Sequence, residues 1–364
     1  MLAAPAAGAP DIRTATPRDN GVHEGRGDRT EWWFVSAVDP AQDLAVAVAL
    51  GSEFPGAPPA TVVFLYLPDG RVATVGAPRL LTADPATDRA DVRLGPDRLW
   101  SPAPGVIRVR VRMDAGIALA GESPGPIAVD LTLRATAPGF TAGPLTLPGG
   151  RDLSWTVAAP SARVTGTVRA GDRTLTLRGA PGYHDHNYGR FDLGDASHGG
   201  WDWSQVHLPE GRSLVTGIVR PADPSLRDGV VVLSDAGGRL ASGRAAGAAV
   251  TRGDWTTLGP QAYPRRVTLR ARLSGGWRAR VVYRARRASP LSFTADGSSA
   301  LVEVEARTSG TLRKDGRVVS RWTGAPAFYE YESTPLTRER DAAPGSLARA
   351  ARGVERAVAA LPTG

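Results

Sequence analysis

The sequence contains no cysteine among its 364 residues. Disulfides, thiol nucleophiles, thiolate zinc sites and iron–sulfur clusters are therefore excluded, and several enzyme classes are excluded with them. Long hydrophobic runs are also missing, because no segment approaches the roughly 18 apolar residues that a membrane-spanning helix needs. The first residues carry neither a basic leader nor an unbroken apolar stretch, which predicts a flexible tail and no secretory signal. We therefore expect a soluble, cytoplasmic protein.

Lysine is almost absent, since Lys314 is the only one, and arginine carries nearly all of the basic charge. The net charge of +8 would otherwise suggest a nucleic-acid partner. The arginines are spread along the chain and alternate with apolar residues, so a solvated sheet face explains them. We therefore expect no nucleic-acid partner.

Alternation of apolar and polar residues dominates the rest of the sequence. In the segment Val106 to Met113, every second side chain from Ile107 onward is apolar and the intervening ones are arginine. The same period of two recurs in four further segments, Ile127 to Arg134, Arg266 to Leu273, Trp277 to Arg284 and Leu301 to Ala306. Turn sequences that contain glycine separate such segments at residues 68–70, 170–172, 236–238 and 314–316. These patterns predict an all-β chain of antiparallel hairpins.

The length of the chain suggests two domains of roughly 150 residues each. Sandwiches and closed barrels protect the strand edges of such chains, so we expect two antiparallel β-barrel or sandwich domains with a ligand site at a barrel mouth or between them. The expected boundaries are a flexible tail (1–18), an N-terminal β domain (19–165) and a C-terminal β domain (166–338). Residues 339–364 have apolar side chains at helical spacing, which predicts a short C-terminal helix. Its arginines would also suit contact with an anionic membrane surface.

Histidine is scarce, but four of the five histidines fall between residues 184 and 207. The segment G-Y-H-D-H-N-Y-G, Gly182 to Gly189, places Asp185 between His184 and His186. An apolar pocket would raise the pKa of Asp185, and the histidines would orient this acid or return its proton. Two alternatives remain open. One is a metal site on the two histidines, which lacks a third ligand at a convincing spacing, and the other is a polar bend that satisfies backbone groups.

Aromatic residues make up only 6% of the chain and are also concentrated. Trp32 and Trp33 follow Glu31. The tripeptide W-D-W, with Trp201 and Trp203, comes after the histidine segment, and tyrosines alternate with glutamates in A-F-Y-E-Y-E. Such ring faces can line an apolar pocket and stabilise a carbocation. The alternative is ordinary packing in a β-sheet core.

The order of these motifs resembles the hydroxyneurosporene synthase, or carotenoid 1,2-hydratase, superfamily. The matching segments between residues 30 and 332 are T-E-W-W-F, S-W-T-V-A-A-P-S-A-R-V-T-G, G-Y-H-D-H-N-Y-G, W-D-W-S-Q and G-A-P-A-F-Y-E-Y. The resemblance implies two lipocalin-like β domains with a ligand cleft between them. The superfamily also contains natural-product cyclases, among them Diels–Alderases of polyketide pathways.

The resemblance also implies roles for individual residues. Tyr183 and Asp185 match the Tyr-His-Asp segment that supplies the proton donor in carotenoid hydratases. Trp155 matches the tryptophan of an upstream His-x-Trp pair, but Leu153 stands where the histidine is expected. This departure slightly favours a cycloaddition over hydration.

The leading hypothesis is a hydro-lyase or cyclase that hydrates or cyclises an apolar polyene or isoprenoid by acid catalysis, without cofactor or metal. The alternatives are a pericyclase of the Diels–Alder type and a non-enzymatic, lipocalin-like carrier of a hydrophobic small molecule. The candidate catalytic residues are Asp185, Tyr183, His184 and His186. The candidate substrate-binding residues are Glu31, Trp32, Trp33, Trp155, Asn187, Tyr188, Trp201, Trp203, Tyr329 and Tyr331.

Overall fold

The fold is seen in a computed structural model that describes residues 11–23, 29–55, 57–114, 116–193, 200–220, 227–259, 261–293 and 300–333. Most of these residues lie in antiparallel strands of two sheets, which confirms the all-β, lipocalin-like class. Within these ranges no helix reaches seven residues. None is long and apolar enough to cross a membrane. The C-terminal helix expected from the sequence lies outside the described residues.

The first sheet has thirteen strands in the described ranges. They are β1 (Asp11–Thr14), β2 (Thr30–Asp39), β3 (Leu44–Glu53), β4 (Ala60–Tyr66), β5 (Val72–Pro78), β6 (Asp91–Leu94), β7 (Asp97–Ala103), β8 (Val106–Met113), β9 (Ile117–Gly121), β10 (Ile127–Ala135), β11 (Phe140–Leu147), β12 (Arg151–Ala170) and β13 (Arg173–Arg190). Their order is β6-β7-β8-β10-β12-β13-β2-β3-β4-β5-β9, with β11 pairing with both β12 and β1.

The second sheet has nine strands in the described part of the chain. They are β14 (Trp201–His207), β15 (Ser213–Val219), β16 (Asp228–Asp235), β17 (Gly238–Arg244), β18 (Ala248–Leu258), β19 (Gln261–Arg272), β20 (Trp277–Ser292), β21 (Ala300–Lys314) and β22 (Arg317–Ser333). Their order is β17-β16-β15-β14-β22-β21-β20-β19-β18. Short 3-10 turns occupy Pro17–Asn20, Pro148–Gly150, Pro209–Gly211 and Ala245–Gly247.

Each sheet has its own hydrophobic core, and a third core lies between the two sheets. The alternation of side chains along each strand produces this arrangement. In β2, Trp33 packs into the core of the first sheet, whereas its neighbour Phe34 packs into the core between the sheets. That third core also contains Tyr183 from the first sheet and Trp203 and Phe328 from the second. It is the part of the fold that positions the candidate site.

The strands and turns predicted from alternation agree with the structure. The segment Val106 to Met113 is β8, and the other four segments fall within, or end one residue beyond, β10, β19, β20 and β21. All four predicted turns join consecutive strands of a hairpin. On β8 the apolar residues are buried, as the period of two requires.

Two predicted boundaries differ from the structure. Residues 11–18, expected in a flexible tail, form β1 and the start of a 3-10 turn, because β1 pairs along its whole length with β11 and Asp19 bonds to Arg13 and Thr16. Residue 165 lies inside β12, and the chain passes from one sheet to the other only between Arg190 and Trp201. The pairing of β12 with β13 continues from one side of residue 165 to the other.

Candidate active site

The segment Gly182 to Gly189 forms the C-terminal half of β13 and pairs residue by residue with Thr30–Ala37 of β2. It is therefore extended, and the alternative of a polar bend is wrong, because strands pair with it on both sides. In an extended segment successive side chains point to opposite faces. Tyr183, Asp185 and Asn187 share one face, and His184 and His186 share the other.

Asp185 is 2% exposed and lies at the third core, between the sheets. Its Oδ2 accepts hydrogen bonds from the Tyr183 hydroxyl at 2.7 Å and from Trp155 Nε1 at 2.8 Å. Its Oδ1 accepts one hydrogen bond, from Asn187 Nδ2 at 3.0 Å. Since a carboxyl oxygen can take part in two hydrogen bonds, Oδ1 is the oxygen with room for an acid proton.

Burial raises the pKa of Asp185 to about 7, although the hydrogen bonds from Tyr183, Trp155 and Asn187 favour the ionised form. Near neutral pH a large share of the molecules therefore carry a neutral carboxyl group at this position. A neutral carboxyl whose second oxygen is held by two donors is an oriented proton donor.

A cavity of about 50 Å³ lies directly against Asp185. Its described lining is mostly apolar and comes from both sheets: Trp32, Phe34, Leu145, Leu153, Trp155, Asp185, Asn187, Trp201, Trp203, Gly217, Ile218, Val219 and Glu330. A larger cavity of about 330 Å³ shares Trp32, Phe34, Trp201 and Glu330 with it and extends between Phe54, Leu119 and Leu291. We call them the inner and the outer cavity. The outer cavity has the size and the apolar lining typical of small-molecule sites.

Trp203 and Trp155 line the inner cavity in different ways. Trp203 Nε1 is buried and lacks a hydrogen-bond partner among the described residues, although the indole lies close enough to Asp185 to lower its pKa. A buried donor of this kind is available to a bound molecule. Trp155 lies against Gly217, where an added Cβ would come within 2.6 Å of the indole ring. The glycine therefore makes room for the tryptophan that holds Asp185.

Two glutamates that the sequence reasoning missed complete the polar part of the site. Glu330 lines both cavities and accepts a hydrogen bond from Trp201 Nε1 at 2.7 Å. Glu303 stands directly opposite Glu330 on the neighbouring strand and is fully buried. The sequence signal was the alternation of acidic and apolar residues in both strands, which normally marks a solvated face.

His184 and His186 lie away from Asp185, on the opposite face of β13. The two ring nitrogens of His184 contact the Phe34 carbonyl oxygen at 2.8 Å and the Asn20 side chain at 2.9 Å. Burial lowers the pKa of His184 to about 3, so its ring is neutral. These contacts tie β13 to β2 and to the 3-10 turn before it, and none of them reaches Asp185.

His186 forms a second hydrogen-bonded group with Glu31 and His23. Its Nε2 lies 2.9 Å from Glu31 Oε1, which also accepts a hydrogen bond from the His23 backbone N–H at 2.9 Å. Burial opposes ionisation of Glu31, yet the hydrogen bonds from His186 and His23 lower its pKa to about 2. These hydrogen bonds stabilise the ionised form of Glu31 on the face of the sheet that is opposite Asp185.

The same three residues are the one group in the described ranges whose ligand atoms lie within 4.8 Å of one another, as a metal ion would need. Only His186 of the two histidines in the metal hypothesis belongs to this group, whereas His184 contacts Phe34 and Asn20 instead. However, both ring nitrogens of His186 already contact oxygen atoms, of Glu31 and of the Asp19 backbone. Hydrogen bonding alone accounts for this group.

The predicted binding residues divide between the two sides of the sheets. Trp32, Trp155, Asn187, Trp201 and Trp203 line the inner cavity. The remaining predicted binding residues do not line the inner or the outer cavity, because alternation turns them to the other face: Glu31, Trp33, Tyr188, Tyr329 and Tyr331.

Comparison with known proteins places the chain by family and fold. The sequence model of a family described as "Domain of unknown function (DUF7064)" matches residues 16–332, and no curated protein matches the sequence significantly. Similar solved structures include a protein of Nitrosomonas europaea provisionally named AttH, with a TM-score of 0.58, 19% identity, and 88% of this chain and 96% of that chain covered.

Two further solved structures share the fold. CghA in complex with Sch210972 has a TM-score of 0.56 and 15% identity, covering 89% of this chain and 98% of that chain. Kievitone hydratase from Nectria haematococca has a TM-score of 0.52 and 14% identity, covering 88% of this chain and 90% of that chain. At these identities the likeness is one of fold.

Proposed function

The chain belongs to the DUF7064 family, and we propose that it is an enzyme of the lyase or cyclase kind that protonates an alkene of an apolar polyene or isoprenoid. The observation that carries this proposal is the neutral carboxyl of Asp185, held by Tyr183 and Trp155 at the wall of an apolar cavity. Protonation of an unactivated alkene needs a general acid that is still protonated near neutral pH and that is shielded from water, and a desolvated carboxyl meets both needs.

The reaction can be written from the side chains of the inner cavity. The Oδ1–H of Asp185 forms a C–H bond with one alkene carbon, and the loss of the π bond leaves a tertiary cation on the other. The indole faces of Trp32, Trp201 and Trp203 surround that position and stabilise positive charge. A water oxygen then forms the C–O bond, and the proton that it releases restores the acid form of Asp185. If an internal alkene attacks instead, a C–C bond forms and the positive charge moves to another carbon, and loss of a proton from the neighbouring carbon to Asp185 then gives a ring isomer and restores the acid.

The comparisons support an enzyme of this general class. Kievitone hydratase is by its name a hydratase, and CghA is a Diels–Alderase. Both share the arrangement of two β-sheets on which this proposal rests. The outer cavity also has the volume expected for a small apolar substrate. In this proposal, the outer cavity is the substrate-binding site.

The test is the substitution Asp185→Asn, assayed with geraniol, farnesol and geranylgeraniol, acyclic isoprenoids whose trisubstituted alkenes give tertiary cations. We expect wild type to add one water or to form an isomer, and turnover by Asp185→Asn to fall by about 10² to 10⁴. Asp130→Asn, which changes a partly exposed aspartate of β10, is the control and should retain activity. Full activity of Asp185→Asn with an unchanged circular dichroism spectrum would rule out the acid role.

The second candidate is a pericyclase that folds a linear polyene for cycloaddition. The observation that favours it is Leu153, which lines the inner cavity with an apolar side chain where the resemblance leads us to expect a histidine. Such a reaction depends on the shape of the cavity more than on a proton. It would tolerate Asp185→Asn and be slowed by Trp203→Ala, and a carrier would return every probe unchanged.

A further inference from the structure

Glu303 and Glu330 form a pair of carboxyl groups in the interior of the molecule. They stand directly opposite each other on the antiparallel strands β21 and β22, where facing side chains are in contact. Both point into the third core, because their neighbours Val302, Val304 and Tyr329 pack into the core of the second sheet. The facing carboxyl group of Glu330 is, after burial, the main cause of the raised pKa of Glu303.

Within the described part of the chain, no cationic side chain neutralises this pair. Neither carboxyl oxygen of Glu303 has a hydrogen-bond donor among the described residues, and no arginine or lysine there forms an ion pair with Glu303 or Glu330. The donor to Glu330 is the neutral indole of Trp201. Two facing carboxylates without a counter-charge repel each other strongly in such surroundings, so the pair retains a proton.

The other ionisable groups that face the pair are also acidic or neutral. Asp185 of β13 lines the inner cavity together with Glu330 and raises its pKa, as Glu332 of the same strand does. Tyr66 of β4 donates its hydroxyl hydrogen bond to the backbone oxygen of Glu303. Burial raises the pKa of Glu330 to about 7, and burial together with Glu330 holds the pKa of Glu303 well above its usual range.

We propose that Glu303 and Glu330 share one proton and form a second acid–base group of the active site, in which Glu330 removes the proton from the attacking water. This inference rests on the proposed function, in which Asp185 is the acid, and it adds the group that acts as the base. Glu330 is the catalytic residue because it borders the cavity, and Glu303 is a positioning residue that acts through it.

With this acid–base group, every proton in the hydration reaction is accounted for. Asp185 gives its proton to the alkene carbon, water forms the C–O bond to the cation, and one O–H bond of that water breaks as its proton passes to the ionised carboxyl of the pair. The proton returns from Glu330 to Asp185 across the inner cavity, and the net change is one water added to the alkene. Separate acid and base groups allow each to be in its working form at the same pH.

The first experiment needs no substrate. Infrared titration is done on Asp185→Asn, which removes the other carboxyl whose pKa is raised to about 7. It should show a neutral carboxyl band near neutral pH, and the pair should lose its protons in two separated steps. Adding either Glu303→Gln or Glu330→Gln should leave a single step. Glu305→Gln is the matched control, because Glu305 lies two residues along the same strand and is equally buried but forms ion pairs. It should leave both steps unchanged.

The second experiment uses farnesol in deuterated water. Glu330→Gln preserves the shape of the side chain and an oxygen acceptor for Trp201, so Asp185 should still deliver deuterium to the alkene. Alcohol formation should fall about a hundredfold, and the cation should return to deuterated or isomerised alkene. Asp185→Asn should lose both deuterium incorporation and alcohol.

The outcomes separate the two proposals. If Glu330→Gln forms alcohol at the wild-type rate, or if the pair titrates in one step at the ordinary pKa of a glutamate, the assignment of the pair is overturned. If wild type neither incorporates deuterium nor forms product, while two titration steps are seen, the proposed reaction fails but the shared proton stands.

Discussion

Glu303 and Glu305 lie two residues apart on β21, point to the same face of the sheet and are both fully buried, yet their surroundings are opposite in charge. Glu305 accepts hydrogen bonds from Arg286, Arg287 and Arg307 at 3.3, 2.9 and 2.9 Å. Glu303 stands opposite the carboxyl group of Glu330 on β22 and the hydroxyl group of Ser289 on β20. On the same strand, arginines therefore compensate the charge of Glu305, whereas the carboxyl group of Glu330 opposes the ionisation of Glu303.

The difference separates a group that holds the sheets together from a group that is available for chemistry. Arg287, which pairs with Glu305, also donates to the backbone oxygens of Asp43 and Leu67 in the first sheet. The Glu305 cluster therefore links the two sheets electrostatically. Among the described residues, the pair of Glu303 and Glu330 forms no such link between the sheets. Burying these two carboxyl groups costs stability, and a protein retains such a costly group only where the group has another use.

The largest effect is expected from removing the paired carboxylate. Glu305→Leu should lower the free energy of unfolding by about 4 kcal/mol, because it removes the counter-charge of Arg287 and Arg307, whose side chains are only 10% and 22% exposed. Urea denaturation followed by tryptophan fluorescence measures the loss. Glu303→Gln, the matched change two residues away, should be neutral or slightly stabilising. Equal losses in the free energy of unfolding for the two variants would contradict the distinction between Glu305 and Glu303.

The second prediction concerns pH and the acid end of the inner cavity. The pKa of Asp185 is raised to about 7 in the folded protein and is near 3.8 in the unfolded chain, so above about pH 4 the folded state binds the extra proton. Its contribution to stability is therefore lost as the pH rises, by about 3 kcal/mol between pH 4 and pH 7.

Urea denaturation across this range, compared between wild type and Asp185→Asn, isolates the contribution, and the variant should have the flatter profile. Glu31 and Asp19, whose pKa values are lowered to about 2, have the opposite sign. Their contribution is lost as the pH falls below about 4, which is a separate window. Parallel profiles of wild type and variant would contradict the raised pKa of Asp185.

The smallest effect should come from the cavity wall. Gly217→Ala would place a Cβ within 2.6 Å of the Trp155 ring, which must tilt away and weaken its hydrogen bond to Asp185. We expect a loss of about 2 kcal/mol in the free energy of unfolding and reduced turnover of the isoprenoid probes. Gly253→Ala, at a strand glycine with open space around it, is the control and should change neither property. Equal behaviour of the two variants would refute the packing role.

Much of the fold was predictable because alternation is a local property. The strand β8, the hairpin turns and the opposed faces of the histidine segment all follow from side-chain period and turn chemistry. The position of Asp185 among aromatic rings was also expected, and Tyr183, Trp155 and Trp203 do surround it. The strand β1 was missed because four residues are too few for a periodic signal.

The sequence by itself determined that this protein is built of antiparallel strands, that it has no thiol chemistry and that one carboxyl lies in an aromatic segment. Only the tertiary structure decided which faces meet. It brought Glu330 of the second sheet to the cavity of Asp185 and separated His184 and His186 from that cavity. Among the described residues, it gave Glu305 three arginine partners and Glu303 none. The physical reason is that charge compensation and burial depend on neighbours from distant strands, whereas alternation depends only on the next residue.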